Sequence, residues 1–231
     1  MAARADSHHR VFKEDPSERF EDGTLPFISI LSVQSGLNLL KSIGVPNIES
    51  RTHSLRSYLS HRLSTLKHPH TGSPACIVYG PPSSAPSSSV GSICTFNMLR
   101  PAGGFVPYVQ VEELAALEGL CLRAGAFCNP GAVQEWLGLS VEDLDMFAKE
   151  GKTCGDDKCV IGGKPTGAVR ASFGVSSRLR DADRLIEFLV KHFVSRTEGC
   201  EDGVEQDEEE EREVEVSGLR IFPIKSCGAQ V

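Results

Sequence analysis

The sequence predicts an α/β layered domain, in which helices pack on a small sheet. Three observations carry that expectation. Helical apolar stripes alternate with short apolar strands between residues 25 and 193. Gly, Pro and Ser clusters punctuate the alternation. The chain has 231 residues, 40% of them hydrophobic and 24% charged, enough for one buried core.

Residues 1–18 are polar and unpatterned, and read as a disordered or truncated start. Over residues 25–43 an apolar set (Phe27, Ile28, Leu31, Leu39, Leu40, Ile43) predicts a helix closed by Gly44, with Pro46 just beyond. Ile48, Leu55, Leu59, Leu63 and Leu66 share one helical stripe, which predicts a second helix. His53, Arg56, His61 and Arg62 lie off that stripe and are expected to face solvent. Residues 75–79 read as a short buried strand, followed by a Pro/Ser-rich loop over 80–86. Residues 92–99 alternate as a second strand, with Ile93, Thr95 and Asn97 on one face and Cys94, Phe96 and Met98 on the other. Val111, Leu114, Ala115, Cys121 and Leu122 mark a helix after Pro107. Ser140 and Asp143 have the spacing of a capping box and open a helix with Leu144 and Phe147 inside. Residues 169–173 form a strand. Asp181 then caps a last helix with Leu185, Ile186, Leu189 and Phe193 on its inner side. The domain is expected to end near residue 197.

The net charge of −7 belongs to a segment and not to the fold. Of 31 acidic and 24 basic residues, 11 acidic and one basic fall within residues 198–215. Residues 198–216 therefore read as a solvated acidic linker. No basic patch with interleaved aromatics suggests nucleic acid. No run of about 18 apolar residues suggests a membrane span. The start lacks the apolar centre of a secretory signal. Eight cysteines without such a signal point to a reducing compartment, the cytoplasm. Residues 217–231, with Leu219, Ile221 and Ile224, read as the first strand of a second, truncated β domain.

The sharpest chemical feature is Cys128, in the stretch GAFCNPGA over residues 125–132. Asn-Pro-Gly makes a tight turn before a short helical run. A thiol there gains thiolate stabilisation from free N–H groups and the helix dipole. A buried loop cysteine is the competing reading. Arg170 stands in an otherwise small and apolar strand and needs a carboxylate, from a ligand or from the protein. Gly23-Thr24 precedes a helix and could hold a phosphate or cap the helix. Cys154 and Cys159 lack the partners of a zinc site, so no metal is assigned. Cys76, Cys94 and Cys121 lie on apolar faces and read as core. Cys227 stays open between packing and a site, and the histidines show no ligand spacing.

RFEDGT at 19–24, GAFCNPGA at 125–132, CGDD at 154–157 and KPTGAVRASFG at 164–174, in that order, resemble the molybdenum cofactor sulfurases. The closing SGLRIFPIKSCGA at 217–229 is similar to the opening of that family's C-terminal cofactor-binding β-barrel. The resemblance implies part of a fold-type-I pyridoxal-phosphate-dependent transferase over residues 19–197: the end of its large domain and its small domain. It implies a cysteine desulfurase chemistry, with L-cysteine as sulfur source and a persulfide on Cys128. Arg170 would clamp the substrate carboxylate. Gly23 and Thr24 would reach the cofactor phosphate of a neighbouring subunit, hence a homodimer. Sulfur would pass to the molybdenum cofactor and so activate xanthine dehydrogenase and aldehyde oxidase.

The same resemblance places the family's Schiff-base lysine, its pyridine-binding aspartate and its stacking histidine upstream of RFEDGT. The chain is therefore expected to be inactive alone. Val133 stands where the family often has a second cysteine. The apolar stripes of 25–43 and 48–66 are expected to be left exposed. The alternative expectation is a non-catalytic interaction module that pairs with a full-length partner.

Overall fold

A computed structural model of the chain describes residues 12–20, 23–86 and 90–194. The acidic linker and the closing strand expected at 198–231 lie outside the described residues, as does most of the expected disordered start. All described residues belong to the first of two units, residues 1–196.

After a short helix α1 (Pro16–Phe20), the chain forms α2 (Phe27–Ile43) and α3 (Val45–Ser64), joined with a 74° bend. The break is local. Gly44 takes φ 86° and donates its N–H to Leu40 O at 2.9 Å, and Pro46 in the first turn of α3 prevents continuation. No single helix among the described residues is long and apolar enough to cross a membrane.

The two helices then diverge in environment. Helix α2 buries none of its residues, and Ile28 and Leu31 remain 74% and 70% exposed. Helix α3 does not follow the expectation of exposure. Leu55, Leu59 and Leu63 are buried against the sheet and the last helix, each contributing about 1.5–3 kcal/mol. The second departure is Arg56, expected in solvent and found 2% exposed. Its Nη1 donates to Pro82 O at 2.9 Å and its Nη2 to Pro81 O. The proline-rich loop lacks N–H groups to form a ladder, so its carbonyls take a buried guanidinium instead. His53, one turn earlier, is half-buried and bonds Ala85 O through Nε2 at 2.9 Å.

The principal sheet has four antiparallel strands in the order β1 (Cys76–Tyr79), β2 (Ile93–Met98), β6 (Ala168–Ser172), β3 (Arg123–Gly125). Cys94, Phe96 and Met98 alternate into the core, as the sequence pattern predicts, within one cluster that includes Leu59 and Leu63 of α3, Val111 of α4 (Tyr108–Leu117) and Leu189 of α7 (Leu179–Leu189). Helix α4 ends at Leu117, where Gly119 at φ 74° turns the chain. Cys121 is consequently exposed and not core, and Leu122 leads into β3 instead of extending the helix.

Helices α5 (Pro130–Leu137) and α6 (Val141–Lys149) follow. The expected capping box is present: Asp143 N–H donates to Ser140 Oγ at 3.3 Å and Ser140 N–H to Asp143 Oδ2 at 2.8 Å. Phe147 is buried, whereas Leu144 is exposed. A two-stranded hairpin, β4 (Val160–Ile161) and β5 (Lys164–Pro165), precedes β6. In α7 the expected cap Asp181 is instead the third helical residue, accepting from the N–H of Arg178 at 2.8 Å. Leu185, Ile186, Leu189 and Phe193 are buried, the last in a π-helical turn over Val190–Val194.

Candidate functional site

Strand β6 carries Arg170 into the centre of the sheet, opposite Thr95 on β2 and Arg123 on β3. The face it shares with Ile93 and Thr95 is not the core face. Helix α5 and the turn before it cover that face and enclose a pocket of about 230 Å³. Ile93, Ala132, Val133 and Leu137 make much of the wall apolar, with Tyr79, Thr95, Asn129, Trp136 and Arg170 adding polar atoms.

Arg170 is half-buried, and its Nε is buried with no hydrogen-bond partner. Among the described residues no carboxylate lies within ion-pair distance of it. The internal salt bridge that the sequence left open is therefore absent among these residues. A cation set in a mostly apolar wall without a counter-ion is suited to an incoming carboxylate. Arg123, directly opposite across the ladder, adds a second positive charge, an arrangement unfavourable without an anion nearby. The helix expected through residue 122 ends at Leu117, and Arg123 opens strand β3 instead. Gly119, ahead of the strand, and Gly125, its last residue, are the signal the sequence offers.

Cys128 lies at the tip of a turn in which Ala126 O accepts the N–H of Asn129 at 3.0 Å. Both central residues have left-handed backbones, Phe127 at φ 56° and Cys128 at φ 53°. Glycine or asparagine is usual there, and each non-glycine residue costs roughly 1–2 kcal/mol. Two features hold the turn. Asn129 caps α5, its Oδ1 accepting from Ala132 N–H at 3.3 Å. The ring of Phe127 lies 5.2 Å from the Arg170 guanidinium, a cation–π contact worth about 1–2 kcal/mol when partly desolvated. Below the turn, Gly167 approaches Gly125 so closely that a Cβ would stand 2.6 Å from the Gly125 carbonyl carbon. The Cys128 residue is exposed, flanked by Phe127 and Asn129, which both line the pocket. It is thus not the buried loop cysteine of the competing sequence reading.

The remaining thiols divide by environment. Burial pushes Cys76 well above its ordinary value and Cys94 up to about 12, the latter eased by Arg56. Both are protonated and shielded. Cys159 is buried, while Cys121 and Cys154 are exposed but away from the pocket wall. In the CGDD segment, Asp156 accepts from Lys152 Nζ and from the N–H groups of Thr153 and Lys158. Those bonds, the lysine first, hold its carboxyl at about 2. In KPTG, Thr166 donates to Lys158 O at 2.7 Å and pairs with Tyr108 Oη at 2.9 Å. Both motifs therefore fix backbone. No group of metal-binding side chains occurs among the described residues.

Gly23 and Thr24 are exposed ahead of α2, outside the pocket wall. Pro26 occupies the cap position, so no side chain caps α2. The structure places Arg170 in the pocket wall and Cys128 beside it, between the lining residues Phe127 and Asn129, and leaves the Gly23-Thr24 pair apart from them.

The sequence model of the family described as Aminotransferase class-V matches residues 1–185. The chain is 38% identical over 229 residues to the molybdenum cofactor sulfurase of Arabidopsis thaliana, covering 93% of this chain and 28% of that protein. It is 38% identical over 234 residues to the molybdenum cofactor sulfurase of Solanum lycopersicum, covering 98% and 28%. It thus spans less than a third of the length of these curated relatives. The fold is shared with the apo cysteine desulfurase of Thermococcus onnurineus NA1, at a TM-score of 0.52 and 21% identity over 78% of this chain and 34% of that one.

Proposed function

Because the chain belongs to the class V aminotransferase family, we propose that it is the thiol-bearing part of a molybdenum cofactor sulfurase. In this reading L-cysteine binds with its carboxylate on Arg170, and Cys128 receives its sulfur. The overall exchange balances. The thiol of Cys128 and the thiol of the substrate yield a persulfide on Cys128 and alanine. The sulfur–carbon bond of the substrate breaks, a sulfur–sulfur bond forms, and the thiol proton ends on the alanine methyl. The persulfide sulfur then passes to the molybdenum cofactor, with xanthine dehydrogenase and aldehyde oxidase as the enzymes activated. A persulfide route needs free thiols, which suits the cytoplasm.

The observation that supports this most is the orphaned Arg170 Nε in a pocket lined by Phe127 and Asn129, the two chain neighbours of the exposed Cys128. The family resemblance brings in pyridoxal phosphate, and here the residues do not fit. The pocket lining offers no lysine to hold an aldehyde and no carboxylate to face a ring nitrogen. The pocket and the turn beside it supply the substrate anchor and the sulfur acceptor only. Alone, the chain is proposed to be inactive. In the assembled enzyme, Gly23 and Thr24 reach the cofactor phosphate across a homodimer. Alanine release from cysteine, assayed with the chain alone and together with the remainder of a family desulfurase domain, tests this directly. Activity of the chain alone overturns the inactivity proposal.

A second reading draws on helix α2, which buries none of its residues. A non-catalytic module that pairs with a longer chain of the family would cover it. Co-purification with such a chain, when Cys128→Ser has no effect on any cellular sulfuration, would favour that reading.

A further inference from the structure

The pocket has a component that neither the thiol nor the arginine explains. Phe127 is half-buried, lines the wall, stacks at 5.2 Å on Arg170 and precedes Cys128 in the same strained turn. Its ring is the side-chain contact linking the turn to the sheet at Arg170. We propose that Phe127 is a positioning residue that couples carboxylate occupancy of Arg170 to the mobility of Cys128.

The physical sequence is short. With Arg170 uncompensated, its full positive charge attracts the face of the ring. That attraction, together with the Asn129 cap, holds two consecutive residues in a left-handed backbone they otherwise avoid. A carboxylate on the guanidinium edge neutralises the charge and weakens the hold on the face. The turn then relaxes toward ordinary backbone angles and releases Cys128. The flanks remain fixed. Asn129 still caps α5, and Gly125 still packs on Gly167. Movement is thereby confined to Phe127 and Cys128, between two anchored ends. The thiol would advance when a substrate carboxylate is seated and stay parked otherwise.

This inference rests on the reading of Arg170 as the carboxylate anchor, so the test measures the two separately. The probe is L-alanine, an amino-acid carboxylate with no thiol. Its seating is read from the NMR signal of the Arg170 Nε–H. The Cys128 response is read as the rate of iodoacetamide alkylation of its peptide by mass spectrometry. In the unaltered chain, alanine is expected to shift the Arg170 signal and raise the alkylation rate about fivefold, the population change that losing one such contact allows. In Phe127→Leu, which keeps the apolar bulk but not the π face, the basal rate should already be high and alanine should leave it unchanged. Phe127→Tyr should restore the response. A shift at Arg170 with no change at Cys128 overturns the coupling while sparing the anchor. An unchanged response in Phe127→Leu also overturns it. No shift at Arg170 contradicts both.

Discussion

Arg170 and Asp156 are both buried enough to matter, yet they answer to different experiments. Replacing Arg170 by lysine keeps the charge but loses the planar fork that meets a carboxylate with two bonds. Affinity for an amino-acid carboxylate, measured calorimetrically, should fall about 10–100-fold. Equal affinity in Arg170→Lys would remove the clamp role. Asp156 concerns stability. Its carboxyl is held at about 2 against an ordinary 3.8, chiefly by Lys152. A lowered carboxylate contributes stability that is fully present above its unfolded value and is lost as pH falls through the folded one. Denaturant midpoints of the unaltered chain and Asp156→Asn should therefore differ at neutral pH and converge as the pH drops from about 4 toward 2. Parallel curves would show that the segment is held otherwise. At this scale the sequence was most informative. Cys128 and Arg170 stood out because a thiol in a turn and a cation in an apolar strand each lack a bland partner nearby. Arg56 was misjudged because its partners, Pro81 and Pro82, are 25 and 26 residues away along the chain. Helical periodicity carries no information about such a distant loop.

The element that delivers the site is the pair β3–β6, and its tolerance is set by glycine. In Gly167→Ala the new methyl would stand 2.6 Å from backbone carbon of Gly125. The strands must separate, at a cost of about 1–3 kcal/mol, and the turn bearing Phe127 and Cys128 moves with β3. Thermal unfolding should detect the loss, and carboxylate binding should weaken in the same variant. Unchanged binding would mean that the turn is positioned without β3. Asn129→Ala removes the cap of α5 and should cost about 1 kcal/mol. Strands β1, β2 and β6 were legible because apolar residues concentrate or alternate in them. Strand β3 was not, since three residues give no period and only the pairing with β6 defines them. The same logic explains α3. Its stripe was recognised, but the sheet that buries it is assembled from strands far along the chain, and so exposure was expected where burial is found.

At the scale of the whole molecule, one helix remains unaccounted for by the fold of the described residues. Helix α2 buries no residue and leaves Phe27, Ile28, Ile30 and Leu31 exposed, and an apolar surface of that kind invites association. Ile28→Lys together with Leu31→Glu should reduce self-association in analytical ultracentrifugation and leave the thermal midpoint within a degree or two, because neither side chain is buried. A large fall in stability would show that α2 belongs to the core. The fold class and the family were readable before any coordinates. What was not readable is the pocket wall, because the contact of Phe127 with Arg170 joins segments 43 residues apart in the chain. The central claim is that Cys128 is the sulfur acceptor. It is tested by mass spectrometry of the chain assembled with the remainder of a family desulfurase domain, pyridoxal phosphate and L-cysteine. The account predicts a gain of one sulfur atom on the Cys128 peptide, absent in Arg170→Ala. Sulfur on Cys121 or Cys154 instead, or on no cysteine while alanine is still released, would contradict it.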